Sequence, residues 1–263
     1  MTNRVEISIE GHVAEVRMNR PDKHNAIDMA MFEGLAQAGD EVAANKTIRA
    51  VVLTGSGDHF CAGIDMSMFQ QHDVDLRTPL LTPLEPSPAN LFQRCAYVWR
   101  EVPVPVICAI RGVAYGGGMQ IAAGADIRYV APDARLSIME IKWGLIPDMA
   151  ITTTLRGLVP LDKLKELAFT GAVLGASEAE KIGLVTAVHD DPLAAAHELA
   201  KTVAGKSPDA IRAGKKLLNE AWSLPEAEAL ALEAKLQLPL LGSPNQVESA
   251  MANFEKREPR FKD

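Results

Sequence analysis

Apolar positions recur along this chain with two different periods. Val5-Glu6-Ile7-Ser8-Ile9 alternates apolar and polar residues, the pattern of a strand with one buried face. Gly11-His12 reads as a turn and residues 12–18 as a second strand, so the N-terminus predicts a hairpin. A polar loop, 19–25, follows, and Asp28 is placed to cap a helix running to about residue 44. Residues 48–55 form a compact β-branched run ending in glycine, and 66–71 suggest one or two helical turns. Pro79, Pro83, Pro86 and Pro88 punctuate a long connection over 73–88, a length that points to a functional or mobile loop. A helix over 91–101 is stopped by Pro103 and Pro105.

Residues 106–110 predict a buried strand, 120–125 a helical stretch, and 126–131 and 135–138 two more short strands. Beyond residue 148 the 3.6-residue period dominates: 152–158, 162–170, 177–182, 193–204 and 208–221. Ser177 and Ser207-Pro208 mark two helix starts. Strands come first and helices last, which predicts an α/β core with a helical C-terminal extension. No internal repeat or low-complexity linker interrupts it.

Two glycine-bearing segments lie about fifty residues apart: Phe60-Cys61-Ala62-Gly63-Ile64-Asp65 and Gly112-Val113-Ala114-Tyr115-Gly116-Gly117-Gly118-Met119-Gln120. Each follows an apolar run and leads into a helical pattern, so each can aim backbone N–H groups into a cleft. Two such donors converging on one oxygen make an oxyanion hole, a device for carbonyl chemistry. The plainer reading of the triple glycine is a tight strand-to-helix turn.

Composition narrows the classes. The chain has 263 residues, 48% hydrophobic and 23% charged, as in globular proteins generally. Its net charge of -7 argues against nucleic acid or an anionic membrane surface as partner. Cys61, Cys95 and Cys108 are odd in number and lack metal-type spacing, so packed thiols in a reducing compartment are expected. Residues 1–10 show no signal or transit pattern and no apolar run can span a bilayer, which together suggest a cytoplasmic protein.

Taken together, the segments resemble the crotonase family of enoyl-CoA hydratases and isomerases. The resemblance rests on Asn19-Arg20-Pro21-Asp22-Lys23-His24-Asn25-Ala26, on the two glycine segments, and on Ala125-Asp126-Ile127-Arg128. It continues through Glu140-Ile141-Lys142-Trp143-Gly144-Leu145-Ile146-Pro147 and the tail Phe254-Glu255-Lys256-Arg257. It implies a spiral core of repeated ββα units over residues 1–200. Residues 201–263 would then be a helical region packing on the core or on a neighbouring subunit. It also implies a homotrimer or hexamer and an acyl-CoA thioester substrate. Coenzyme A would be part of that substrate, with no permanently bound cofactor and no metal.

By the same resemblance the oxyanion donors are the N–H groups of Ile64 and Gly117, aided by a helix starting near Gly118. Hydratases of this family use two glutamates on one water. One matches Glu140; the other falls at Gln120, and an amide cannot serve as a general base near neutral pH. Asp148 stands where dienoyl-CoA isomerases of the family carry an aspartate, eight residues after the glutamate. The resemblance therefore favours double-bond isomerisation by Glu140 and Asp148, with Gln120 orienting. Hydration by Glu140 alone is the alternative, and a non-catalytic acyl-CoA binder the rival of another class. Asp148 could instead cap a helix near Ile151. CoA contacts are expected at Lys23, Ala26, Ala62 and Asp65, the last by fixing its loop, and at Lys256. His24 and His59 read as solvent-facing or loop-stabilising. No nucleophile-elbow sequence supports a serine triad.

Overall fold

The computed structural model describes residues 4–70 and 77–263. The expected hairpin forms: β1 (Val5–Glu10) pairs antiparallel with β2 (Val13–Met18). From there the sheet is parallel. It runs β1-β2-β3-β4-β6-β9, with β3 at Ala50–Gly55, β4 at Val106–Ile110, β6 at Ile127–Val130 and β9 at Ala187–Val188. A second sheet has the order β5-β7-β8, from Val113–Tyr115, Arg135–Ser137 and Val173–Gly175.

The unbroken apolar runs of β3 and β4 have a simple cause. Val51 and Leu53 with Val106, Cys108 and Ile110 belong to the large core on one face. Ala50 and Val52 with Ile107 and Ala109 belong to a smaller core on the other. A parallel strand buried on both faces has no polar register to show.

Helices α1 (Met29–Ala44) and α3 (Leu91–Glu101) cover the first face. Asp28 caps α1 as expected, accepting the Met31 N–H at 2.9 Å. Asn90 and Gln93 form a reciprocal capping box on α3. The two helices touch closely, because a β-carbon at Gly39 would lie 2.2 Å from Val98 Cγ2. Helix α8 (Pro192–Ala204) covers the second face through Ala196, Ala200 and Ala204, spaced one turn apart. The connection before α3 carries a short helix of its own, α2 (Arg77–Leu81); residues 71–76 of that connection lie outside the described residues.

Several expectations shift in detail. α4 (Gly117–Ala123) begins within the triple glycine, three residues before its apolar pattern does. The stretch 152–158 yields a single turn, α5 (Ile151–Thr154), before α6 (Leu161–Thr170). Ser177 does not cap α7 (Ala176–Lys181), which starts from Gly175 with no side-chain cap. β5, β8 and β9 have two or three residues each, too short to display a period.

Three further helices complete the chain: α9 (Pro208–Glu220), α10 (Glu226–Gln237) and α11 (Pro244–Glu255). Lys215 ties α9 to the core. Its ammonium donates to Trp99 O at 2.8 Å and Val104 O at 3.0 Å and pairs with Asp126 at 2.8 Å. All three of its protons are thus used, which makes a buried lysine tolerable. At the chain end, Arg49 pairs with Asp263, and buried Asn245 bonds Lys262 through both backbone groups. No helix of the described residues is long and apolar enough to cross a membrane.

Candidate active site

The two glycine segments meet. Cys61 and Ala114 form a parallel bridge, with Cys61 N–H donating to Val113 O at 3.0 Å and Tyr115 N–H to Cys61 O at 3.0 Å. A second bridge joins Ile27 to Ile64. The approach is too close for side chains. A β-carbon at Gly63 would lie 2.8 Å from Tyr115 O, and one at Gly118 2.6 Å from Cys61 O. Gly116 has φ 51° and ψ −118°, a conformation effectively reserved for glycine.

Two N–H groups are left over in this arrangement. The Ile27–Ile64 bridge uses Gly63 O and Asp65 N–H, so the Ile64 N–H points away from it. Gly117 is the first residue of α4, where no intrahelical acceptor exists. Neither N–H meets an acceptor among the described residues. The β-carbon position of Gly63 lies 4.0 Å from Gly117 N, so the donors share one neighbourhood.

The acids stand beside them. Glu140 opens a 3-10 turn, Glu140–Trp143, and its Oε1 lies 3.2 Å from the β-carbon position of Gly116. Gln120, on α4, is fully buried. Its Nε2 donates to Glu140 Oε1 at 2.6 Å and its Oε1 accepts the Met149 N–H at 2.8 Å. Met149 in turn packs against Gly117, its Sδ 2.9 Å from that residue's β-carbon position. Asp148 is exposed and does not cap α5; Ala150 holds the cap position with no side-chain bond.

Burial pushes the Glu140 carboxyl above its usual range, against its own backbone N–H and the Gln120 hydrogen bond, which lower it, and the charge of Asp148 raises it further. Burial also raises Asp148, an effect that its open side chain moderates. Glu140 Oε2 is buried and has no partner. Among the described residues no cation pairs with either acid.

The loop before the site is rigidly built. Asn25, fully buried and at φ 56°, accepts the Arg20 N–H at 2.8 Å and donates to Ser56 O and His59 O at 2.9 and 2.8 Å. Arg20 pairs with Asp65 at 2.7 Å and donates to Ala26 O at 3.0 Å. Asp65 also accepts the Ser67 N–H at 2.9 Å; this bond, then Arg20, holds its carboxyl down at about 2. Ala62 N–H donates to His24 O at 2.9 Å, while Lys23 is exposed on the adjoining turn. His24 and His59 stack edge to face, 4.5 Å apart.

Ile64, Gly117, Gln120, Glu140 and Asp148 are therefore brought together, with Lys23, Ala26, Ala62 and Asp65 on the loop bonded to them. Lys256 is different. It is the exposed C-cap of α11 and bonds to none of the others. Asn25, Arg20 and Met149 are the residues that sequence reasoning passed over. The first two lay inside a quoted motif, but only their partners reveal their work.

Other chemistries fit poorly. Burial pushes the Cys61 thiol up to about 12, and Cys95 and Cys108 are raised also, so none is a nucleophile near neutral pH. No cluster of metal-ligating side chains occurs among the described residues. A groove of about 740 Å³ between α3 and α9 shares no residue with the acids. Its Arg100, Arg212 and Lys215 already bond backbone carbonyls.

Fold and cluster together describe a crotonase-type enzyme, and comparison with known proteins agrees. The profile of the family described as Enoyl-CoA hydratase/isomerase matches residues 8–263. An enoyl-CoA hydratase of Mycobacterium tuberculosis is 31% identical, over 96% of this chain and 94% of its own. The mitochondrial Delta(3,5)-Delta(2,4)-dienoyl-CoA isomerase of Mus musculus is also 31% identical, over 95% of this chain and 79% of its own. The crystal structure of an enoyl-CoA hydratase from Bacillus anthracis superimposes with a TM-score of 0.90 at 27% identity, covering 98% of this chain and 99% of that one. The chain belongs to the enoyl-CoA hydratase/isomerase family.

Proposed function

We propose that this protein is an acyl-CoA enzyme that moves a double bond along an enoyl or dienoyl thioester. The N–H groups of Ile64 and Gly117 hold the thioester oxygen as it gains negative charge. Each such donor contributes roughly 2.7–4 kcal/mol to transition-state stabilisation. One of the two carboxylates, Glu140 or Asp148, takes a proton from one carbon, and the other returns a proton to a carbon further along. The double bond shifts between them, and no atom is gained or lost.

The observation that carries this reading is the state of Gln120. Gln120 is fully buried and each end of its amide bonds protein, at 2.6 and 2.8 Å, so the amide is committed to joining the two acid-bearing segments, and an amide supplies no base for a reacting water. Relatives named hydratase and isomerase match at the same 31% identity, so the preference rests on the residues. CoA is assigned to the loop of Lys23, Ala26, Ala62 and Asp65, with Lys256 reaching a phosphate. Ile141, Leu145 and Ile146 are exposed beside the acids and offer an apolar flank to an acyl chain or a neighbouring subunit. Residues 201–263 form the helical region packing on the core or that neighbour. The assembly is a homotrimer or hexamer in the cytoplasm.

The test compares two substrates. Purified protein is given a 3,5-dienoyl-CoA and crotonyl-CoA, and each conversion is followed by absorbance. Isomerisation is expected to dominate and to fall at least a hundredfold in Asp148→Asn. Rapid hydration of crotonyl-CoA, unchanged by Asp148→Asn, would assign the hydratase reaction instead. Tight CoA binding with no exchange of α or γ protons in deuterated water would identify a non-catalytic binder.

A further inference from the structure

Gln120 occupies an unusual position. It is fully buried, on the first turns of the helix that begins with the candidate donor Gly117. Its orientation is not arbitrary. The Met149 N–H can only donate, so the amide oxygen must face it and the amide nitrogen must face Glu140. Met149 follows Asp148 directly. One amide therefore spans from the carboxylate of the first acid to the backbone that carries the second.

We infer that Gln120 is a positioning residue, a brace that sets Glu140 against the Asp148 segment and leaves Glu140 Oε2 as the single oxygen through which that acid exchanges protons. The inference rests on the reaction proposed above only for the destination of the proton; the brace itself is a matter of geometry. Oε1 is occupied by the Gln120 donor at 2.6 Å, and Oε2 is buried with no partner. The groups acting on the Glu140 carboxyl are its own backbone N–H, the Gln120 amide and the charge of Asp148. No lysine, arginine or histidine pairs with it among the described residues. Its own backbone N–H and then the Gln120 amide favour the ionised form, set against burial and a like charge, and the amide is the one side-chain donor among them. A brace of this kind acts on both acids. It stops Glu140 from rotating its two oxygens, and it holds Met149 against Gly117.

The experiment reads Glu140 directly, in the full-length protein without substrate. Carboxyl carbons of glutamate are labelled with carbon-13, and the Glu140 signal is assigned by its loss in Glu140→Gln. Its titration is then followed in wild type, Gln120→Met and Gln120→Glu. Gln120→Met keeps the volume but removes the donor, so the midpoint is expected to rise by about one pH unit or more. The acid limb of the pH–rate profile should move with it. kcat should fall about tenfold or more while KM stays within about twofold. Gln120→Glu keeps an acceptor for Met149 but places two carboxyls in contact, so a two-step titration with one strongly raised midpoint is expected. An unmoved, single-step titration in both variants would overturn the brace. The titration needs no turnover, so its answer stands even if wild type fails to isomerise any dienoyl-CoA.

Discussion

Glu140, the proposed proton carrier, carries a cost in stability. Burial raises its folded-state carboxyl above the value in the unfolded chain. The folded protein therefore holds more protons than the unfolded one between those two values. Stability contributed by this group is highest below the unfolded value, near pH 4, and is lost as pH rises through the folded one. Glu140→Gln can keep the contact with Gln120 without the charge. Its melting temperature at pH 7 is expected to exceed that of wild type by a few degrees, the gap closing towards pH 4. Activity should fall by a factor on the order of 10²–10⁴. Calorimetry across that pH range checks the first, and a coupled rate measurement the second. A variant less stable than wild type at pH 7 would show that the charge is better accommodated than burial implies.

At the scale of elements, legibility followed period and length. α1 and α3 were readable because they carry both caps and an apolar stripe, and β1 and β2 because they alternate. β5 and β9 were not, since two or three residues cannot establish a period. α10 escaped because its apolar residues do not gather on one face, and none of them is buried. The site divides in the same way. The glycine segments and Glu140 were legible as types in an order. That Gln120 joins Glu140 to Met149 was not, because a bond across 29 residues of sequence leaves no local mark. Lys215 shows the same limit: an ordinary lysine on a helix proves to be the pin of α9. Lys215→Met removes three donors from buried acceptors and is expected to destabilise by about 1–3 kcal/mol. Urea denaturation measures the loss, and the rate of the proposed reaction at low temperature should change little.

For the whole molecule, the fold is a two-faced sheet with the acids and donors gathered at one place on it. In the assembly proposed above the C-terminal helices carry subunit contacts, and exposed apolar residues there supply a test. Trp222 and Phe254 are 85% and 84% exposed in the single chain. Replacing both with serine is expected to lower the oligomeric mass in light scattering while leaving the far-ultraviolet circular dichroism intact. An unchanged mass would place the subunit contacts elsewhere. The parallel bridge between Cys61 and Ala114 carries one more consequence. It joins stretches more than fifty residues apart, and nothing local can form it in their absence. The candidate site thus has no rudimentary form in a partly folded chain. Catalytic competence should be the last property regained on refolding, lagging well behind the helical signal in stopped-flow circular dichroism.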